Sequence, residues 1–194
     1  MSKAVGINKQ IALLQLSIKN ISFLQKNLSA TEFLDLINKI YIKIKNILKN
    51  AYIYKFTGKD FFIVLENIEE IENKENAFYF SKEILDKLKK HNEFLRQHHI
   101  PEIEFTIALD FGEVIIGKVV YGDTEKTIIT GIPFQNTQRM INLNERKNIT
   151  PFLFTENVYT DVQYLLTEYI ISVMGFIKIE NRDLYLYGSY QFNK

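Results

Sequence analysis

The sequence predicts an α+β fold in which a mixed, largely antiparallel sheet is covered by helices. Three observations predict it: short apolar runs that come in pairs around turn residues, three longer stretches with apolar residues at helical spacing, and the order strand, helix, hairpin, helix, hairpin, helix, strand. A doubly wound parallel sheet would alternate strands and helices throughout, which this order does not.

The elements read as follows. Residues 11–18 form a buried strand marked by Ile11, Leu13, Leu14, Leu16 and Ile18. Ser29 and Glu32 have the spacing of a capping box and open a helix whose apolar stripe is Phe33, Leu36, Ile37, Ile40, Ile44, Ile47 and Leu48. Residues 52–56 and 61–65 are strands around Thr57-Gly58-Lys59-Asp60, a hairpin signal. A second helix covers about 74–95, with Ala77, Phe80, Ile84, Leu88 and Leu95 at its spacing.

Residues 103–109 and 114–120 are read as a second hairpin around Asp110-Phe111-Gly112-Glu113. Gly122-Asp123 marks an exposed turn, and 127–130 returns as an extended piece. Gly131 and Pro133 introduce a third helix over about 134–143. A strand at 152–155, a helix at 156–165 and strands at 170–179 and 184–187 complete the chain.

At 194 residues the chain is read as one domain, 1–194. Its net charge of +1 gives nucleic acid no electrostatic footprint. The absence of cysteine rules out disulfides, thiolate ligands and a cysteine nucleophile. No run of 18 apolar residues occurs, so no helical membrane insertion is expected. The first ten residues lack a small-residue cleavage pattern, and a cytoplasmic location is the expectation. His91, His98 and His99 have no metal-site spacing and are read as surface residues.

The order of motifs resembles the catalytic domain of class III adenylate/guanylate cyclases over nearly the whole chain. Leu109-Asp110-Phe111-Gly112-Glu113-Val114 is similar to that family's Gly-Glu-Val segment. Fourteen residues after Gly117, Gly131-Ile132-Pro133-Phe134-Gln135-Asn136-Thr137-Gln138-Arg139 stands where its glycine-led helix should be, and Thr155-Glu156-Asn157-Val158-Tyr159 resembles its closing motif. Upstream, Lys55-Phe56-Thr57-Gly58-Lys59-Asp60 resembles the central hairpin, and Ser17-Ile18-Lys19-Asn20-Ile21-Ser22 stands at the first aspartate motif. The resemblance implies a ferredoxin-like, palm-like cyclase fold.

It also implies a site with parts missing. In such enzymes two aspartates hold two metal ions that help join the ribose 3′-oxygen of a nucleoside triphosphate to its α-phosphorus. Their positions fall at Ser17 and Lys59, expected side by side on neighbouring strands. Asp60 is one residue away and is expected to face the other side of the sheet. Asp110 is read as a turn acid, and Asp60 and Asp110 would be metal ligands only in an altered site. Lys55 matches the base-reading lysine, its usual acidic partner falls at Ile128, and the late phosphate-binding lysine falls near Glu180, with Asn181 for glycine. Arg139 matches the transition-state arginine and Gln135 the asparagine one turn before it.

The expectation is a catalytically degenerate cyclase-like domain that binds or regulates, needing no cofactor and assembling as a head-to-tail homodimer. Lys55, Lys59, Ser17 and Arg139 would contact a nucleotide or other phosphate ligand, with Lys59 supplying the positive charge a metal would otherwise supply. The alternatives are an active half of a heterodimer, contributing Lys55, Gln135 and Arg139, or an active homodimer using Mg or Mn on altered ligands.

Overall fold

The computed structural model describes residues 6–48, 51–66, 70–121, 124–147, 150–165, 169–179 and 182–191. The strand β1 (Gly6–Ile18) is buried on both faces from Ile11 to Ile18, because it is flanked by β3 (Asp60–Leu65) and β4 (Phe105–Tyr121) and covered above and below. With β2 (Ala51–Phe56), β5 (Thr124–Gly131), β6 (Phe152–Thr155), β7 (Tyr169–Ile179) and β8 (Arg182–Gln191), the sheet runs β2-β3-β1-β4-β6-β8-β7, and β5 pairs with β4. Only the β4–β6 pairing among these is parallel. The fold is therefore the expected α+β arrangement with a mixed, largely antiparallel sheet.

Side chains alternate across the pleat, and the alternation divides the core. Leu14, Leu16, Ile18, Phe61, Ile63, Ile107, Leu109 and Phe111 enter the larger cluster with the helices α2 (Ala30–Lys45) and α3 (Glu70–Gln97). Each fully buried Leu, Ile or Phe contributes about 1.5–3 kcal/mol. Leu13, Val64, Val114 and Ile129 face the other side, where α4 (Ile132–Lys147) lies over β1 and β4. Beyond α4 that second face is open, and the candidate site lies there.

Local signals explain the helices. Ser29 accepts from the Glu32 amide at 3.3 Å while Glu32 accepts from the Ser29 amide at 2.8 Å, a complete capping box worth about 1 kcal/mol. Pro133 sits in the first turn of α4, where a missing N–H is harmless. A short helix not expected from the sequence, α1 (Ile21–Asn27), precedes α2, and α5 (Glu156–Val162) follows β6.

One expected hairpin is absent. Asp110-Phe111-Gly112-Glu113 does not turn: β4 continues through it, with Leu13, Ala12, Ile11 and Gln10 of β1 opposite these four residues in order. The true hairpin joins β4 and β5, and its turn, Gly122-Asp123, lies outside the described residues. Gly131 allows the close return of β5, since a Cβ there would stand 2.6 Å from the Glu113 carbonyl oxygen and 2.9 Å from the Val114 Cα.

His91 also departs from expectation. It is 7% exposed, on the side of α3 that faces Leu36 and Lys39 of α2, whereas His98 and His99 are exposed. Burial beside Lys43 and Lys39 holds the His91 imidazole below its ordinary pKa.

Candidate functional site

Strand parity decides which residues share the open face. Ser17 of β1 pairs with Asp60 of β3 on one side and Thr106 of β4 on the other. Antiparallel partners point the same way, so Ser17 and Asp60 lie side by side, with Gln15 two residues along the same face. This corrects two expectations. Lys59 is not the cross-strand neighbour of Ser17, and Asp60 does not point to the opposite face. The reason is the strand start: Asp60 is the first residue of β3, while Lys59 still belongs to the turn, its carbonyl accepting from the Ile18 amide at 2.9 Å. Gly58, at φ 89°, makes that turn.

The Lys59 ammonium is directed to α4, where it pairs with Glu145 at 3.0 Å. Asp60 is 6% exposed, and its Oδ2 accepts from the Thr57 hydroxyl at 3.3 Å. Gln15 donates through Nε2 to Gln138 Oε1 on α4 at 3.1 Å, and Gln138 in turn donates to Asn142.

Beside these residues a groove of about 670 Å³ opens between β2, β3, β5 and α4. Tyr54, Lys55, Asp60, Phe62, Ile128 and Phe134 line it, along with Lys126 and Gln138. Phe134 stacks edge-on with Tyr54 at 6.0 Å and packs against Phe62 at 5.8 Å, giving the groove an aromatic wall. The Tyr54 hydroxyl accepts from the Ile129 amide at 2.9 Å, tying β2 to β5. Asp60 is the one acid among the described residues that line the groove, and Lys55 and Lys126 place two ammonium groups on its walls.

Gln135 and Arg139 are on the exposed side of α4, one turn apart, and do not line this groove. The structure thus gathers Lys55, Asp60 and Ile128 about one concavity, with Ser17 buried beside Asp60 and not lining it, and leaves Gln135 and Arg139 outside it. Glu180 and Asn181 lie outside the described residues.

Asp110 is a buried strand residue, not a turn acid. It is 1% exposed beneath α4, accepting from Asn136 Nδ2 at 2.7 Å and from Thr155 Oγ1 at 2.6 Å. Burial pushes its pKa up to about 6, against the lowering effect of those two bonds. It is buried and does not line the groove, so it offers no ligand there.

Sequence reading missed Gln15, Tyr54, Phe62 and Phe134. The signal for Gln15 was available: it is two residues before Ser17, hence on the same face of the strand. The aromatic wall joins residues too distant in sequence for any local signal.

No family model matches the sequence, and comparison with curated proteins finds no significant match. Solved structures do resemble it. The adenylyl cyclase CyaB from P. aeruginosa superposes with a TM-score of 0.83 at 16% identity, covering 98% of this chain and 98% of its own. A bacterial light-regulated adenylyl cyclase gives 0.78 at 18% identity over 98% of this chain, which spans 55% of that protein. The guanylate cyclase domain of RhGC from Catenaria anguillulae, solved with GTP, gives 0.75 at 14% identity, covering 98% of this chain and 99% of that one. At such identities the likeness is one of fold: the chain has a class III adenylate/guanylate-cyclase-like fold.

Proposed function

We propose that this domain binds a nucleotide or another phosphate compound in the groove beside Asp60, acts as a binding or regulatory partner in a head-to-tail dimer, and does not cyclise its ligand. The observation that carries the reading is the Ser17–Asp60 pair. Two-metal catalysis needs carboxylates that hold both ions while the attacking and transferring oxygens gain charge. Here one of the two adjacent strand positions carries a neutral hydroxyl. Asp110, buried and doubly hydrogen-bonded, cannot make up the deficit, and no cluster of three His, Cys, Asp or Glu suited to a metal occurs among the described residues. A pair of magnesium or manganese ions does not fit this donor set.

Binding is supported by the groove itself. Its aromatic wall suits a flat ring, and Lys55 and Lys126 suit an anion. Lys59 joins the phosphate contacts by exchanging Glu145 for the ligand. Ile128 offers a base no polar partner, so adenine and guanine are discriminated weakly. Because Gln135 and Arg139 stand outside the groove of their own chain, they serve the groove of a second copy. The same three residues, Lys55, Gln135 and Arg139, also favour a second reading, in which this chain completes the site of a different cyclase-like partner carrying both metal aspartates.

Calorimetric titration with ATP and with GTP tests binding. The expected result is saturable binding of both within about tenfold of each other, weakened by Lys55→Ala and by Arg139→Ala. Absence of binding of either nucleotide to the assembled protein overturns the reading.

A further inference from the structure

We propose that a cavity between α2 and α3 binds a small neutral aromatic alcohol of phenol size, anchored by the His91 imidazole. The inference goes beyond the function proposed for the groove and does not depend on it.

The cavity lies between the first half of α2 and the end of α3, on the side of the sheet opposite the groove. Leu28, Leu36, Phe94, Leu95 and Ile100 give it apolar walls, and its volume is about 110 Å³. A cavity of ~150 Å³ with walls of this kind takes up benzene, so this one suits a single small ring. Water is a poor occupant. At ~30 Å³ each, about three or four molecules would fill the space, and each needs about two to four polar partners that apolar walls do not supply.

His91 provides the polar anchor. It lines the cavity at 7% exposure, and its Nε2 is buried without a hydrogen-bond partner. Buried polar groups normally find partners, so an unpaired nitrogen beside an apolar cavity points to an occupant that supplies one. The nitrogen is covered, and a small turn about the Cβ–Cγ bond, a broad torsion in histidine, uncovers it. Burial, with Lys43 and Lys39 nearby, holds the imidazole below its ordinary pKa, so the ring is neutral at neutral pH. A neutral imidazole has one donor and one acceptor nitrogen. A hydroxyl both donates and accepts, and therefore pairs with Nε2 in either tautomer.

Charge and shape narrow the ligand further. Glu32, Asp35 and Lys39 also line the cavity, and Glu32 is already tied to Ser29. With Lys43 close to His91, positive and negative charges balance and select neither an anion nor a cation. The His91 and Phe94 rings are nearly parallel, 6° apart, so α3 presents flat surfaces against which an aromatic ring packs.

Titration of the full chain with phenol at about pH 7.5, followed by amide NMR, tests the site. The expected result is one saturable site with a Kd of about 1 mM or tighter, and shifts centred on His91 and Leu95. Toluene, which lacks the hydroxyl, and benzoate, which is charged, each bind about tenfold more weakly. His91→Leu brings phenol down to the toluene level and leaves toluene within about threefold. Ile100→Trp fills the cavity from the loop after α3 and removes binding of both, while its amide spectrum reports that the chain stays folded. Absence of saturable phenol binding, equal affinity for phenol and toluene, a preference for benzoate, or undiminished phenol binding by His91→Leu overturns the inference. Shifts centred on Tyr54, Phe62 and Phe134 place phenol in the groove and overturn it as well.

Discussion

Asp110→Asn is expected to stabilise the protein above about pH 6 and to do so less as the pH falls. The folded carboxyl holds its proton to about 6, against 3.8 for the unperturbed group. Between those values the folded chain binds more protons than the unfolded one, so the Asp110 contribution to stability falls as pH rises and levels off above the folded pKa. A displacement of about two pKa units corresponds to a penalty of about 3 kcal/mol at neutral pH. Asparagine, neutral at every pH, removes that penalty. It can still accept from Thr155, and its amide can donate to Asn136 Oδ1, which is buried and without a partner. Loss of a charge-assisted bond offsets part of the gain, leaving about 1–2 kcal/mol near pH 7.5. Urea unfolding of both proteins from about pH 4 to 8 checks this. A difference independent of pH, or a variant equally destabilised at both ends, refutes the account of Asp110.

Other positions give independent tests. Gly131→Ala forces a Cβ against the Glu113 and Val114 backbone and is expected to destabilise by about 1–3 kcal/mol in the same assay; a loss below about 0.5 kcal/mol contradicts that packing. His91 is buried with its pKa lowered, so the folded chain binds fewer protons than the unfolded one, and stability should drop as pH falls through about 6.5. His91→Leu should flatten that acid-side slope, and an unchanged slope excludes His91 as its source. Light scattering at micromolar concentration should give twice the chain mass, and a persistent monomer contradicts the homodimer.

Much of the fold was legible because its signals are local. The Ser29–Glu32 box, the stripe through Ile40 and Ile44, and the Thr57–Asp60 turn each lie within a few residues. Asp110 was misread because acid, glycine and acid in four residues resemble a turn, while the partners that let an acid stay in the strand come from 26 and 45 residues away. His91 carried a usable signal that was not followed: Ile84, Leu88, His91 and Leu95 fall on one helical stripe. At the site, residue types were legible but pairing was not. Whether Lys59 or Asp60 stands beside Ser17 depends on a single residue of register, set where β3 begins.

The central claim is that a cyclase-like fold with one carboxylate beside Ser17 binds without catalysing. Its most direct test is incubation of the purified chain with ATP or GTP and Mg2+ or Mn2+, reading cyclic nucleotide and pyrophosphate. The account predicts neither product above the rate without protein, in the wild type and in Asp60→Asn alike. Sustained formation of cyclic AMP or cyclic GMP that Asp60→Asn or Arg139→Ala abolishes would contradict it and establish the chain as a working cyclase.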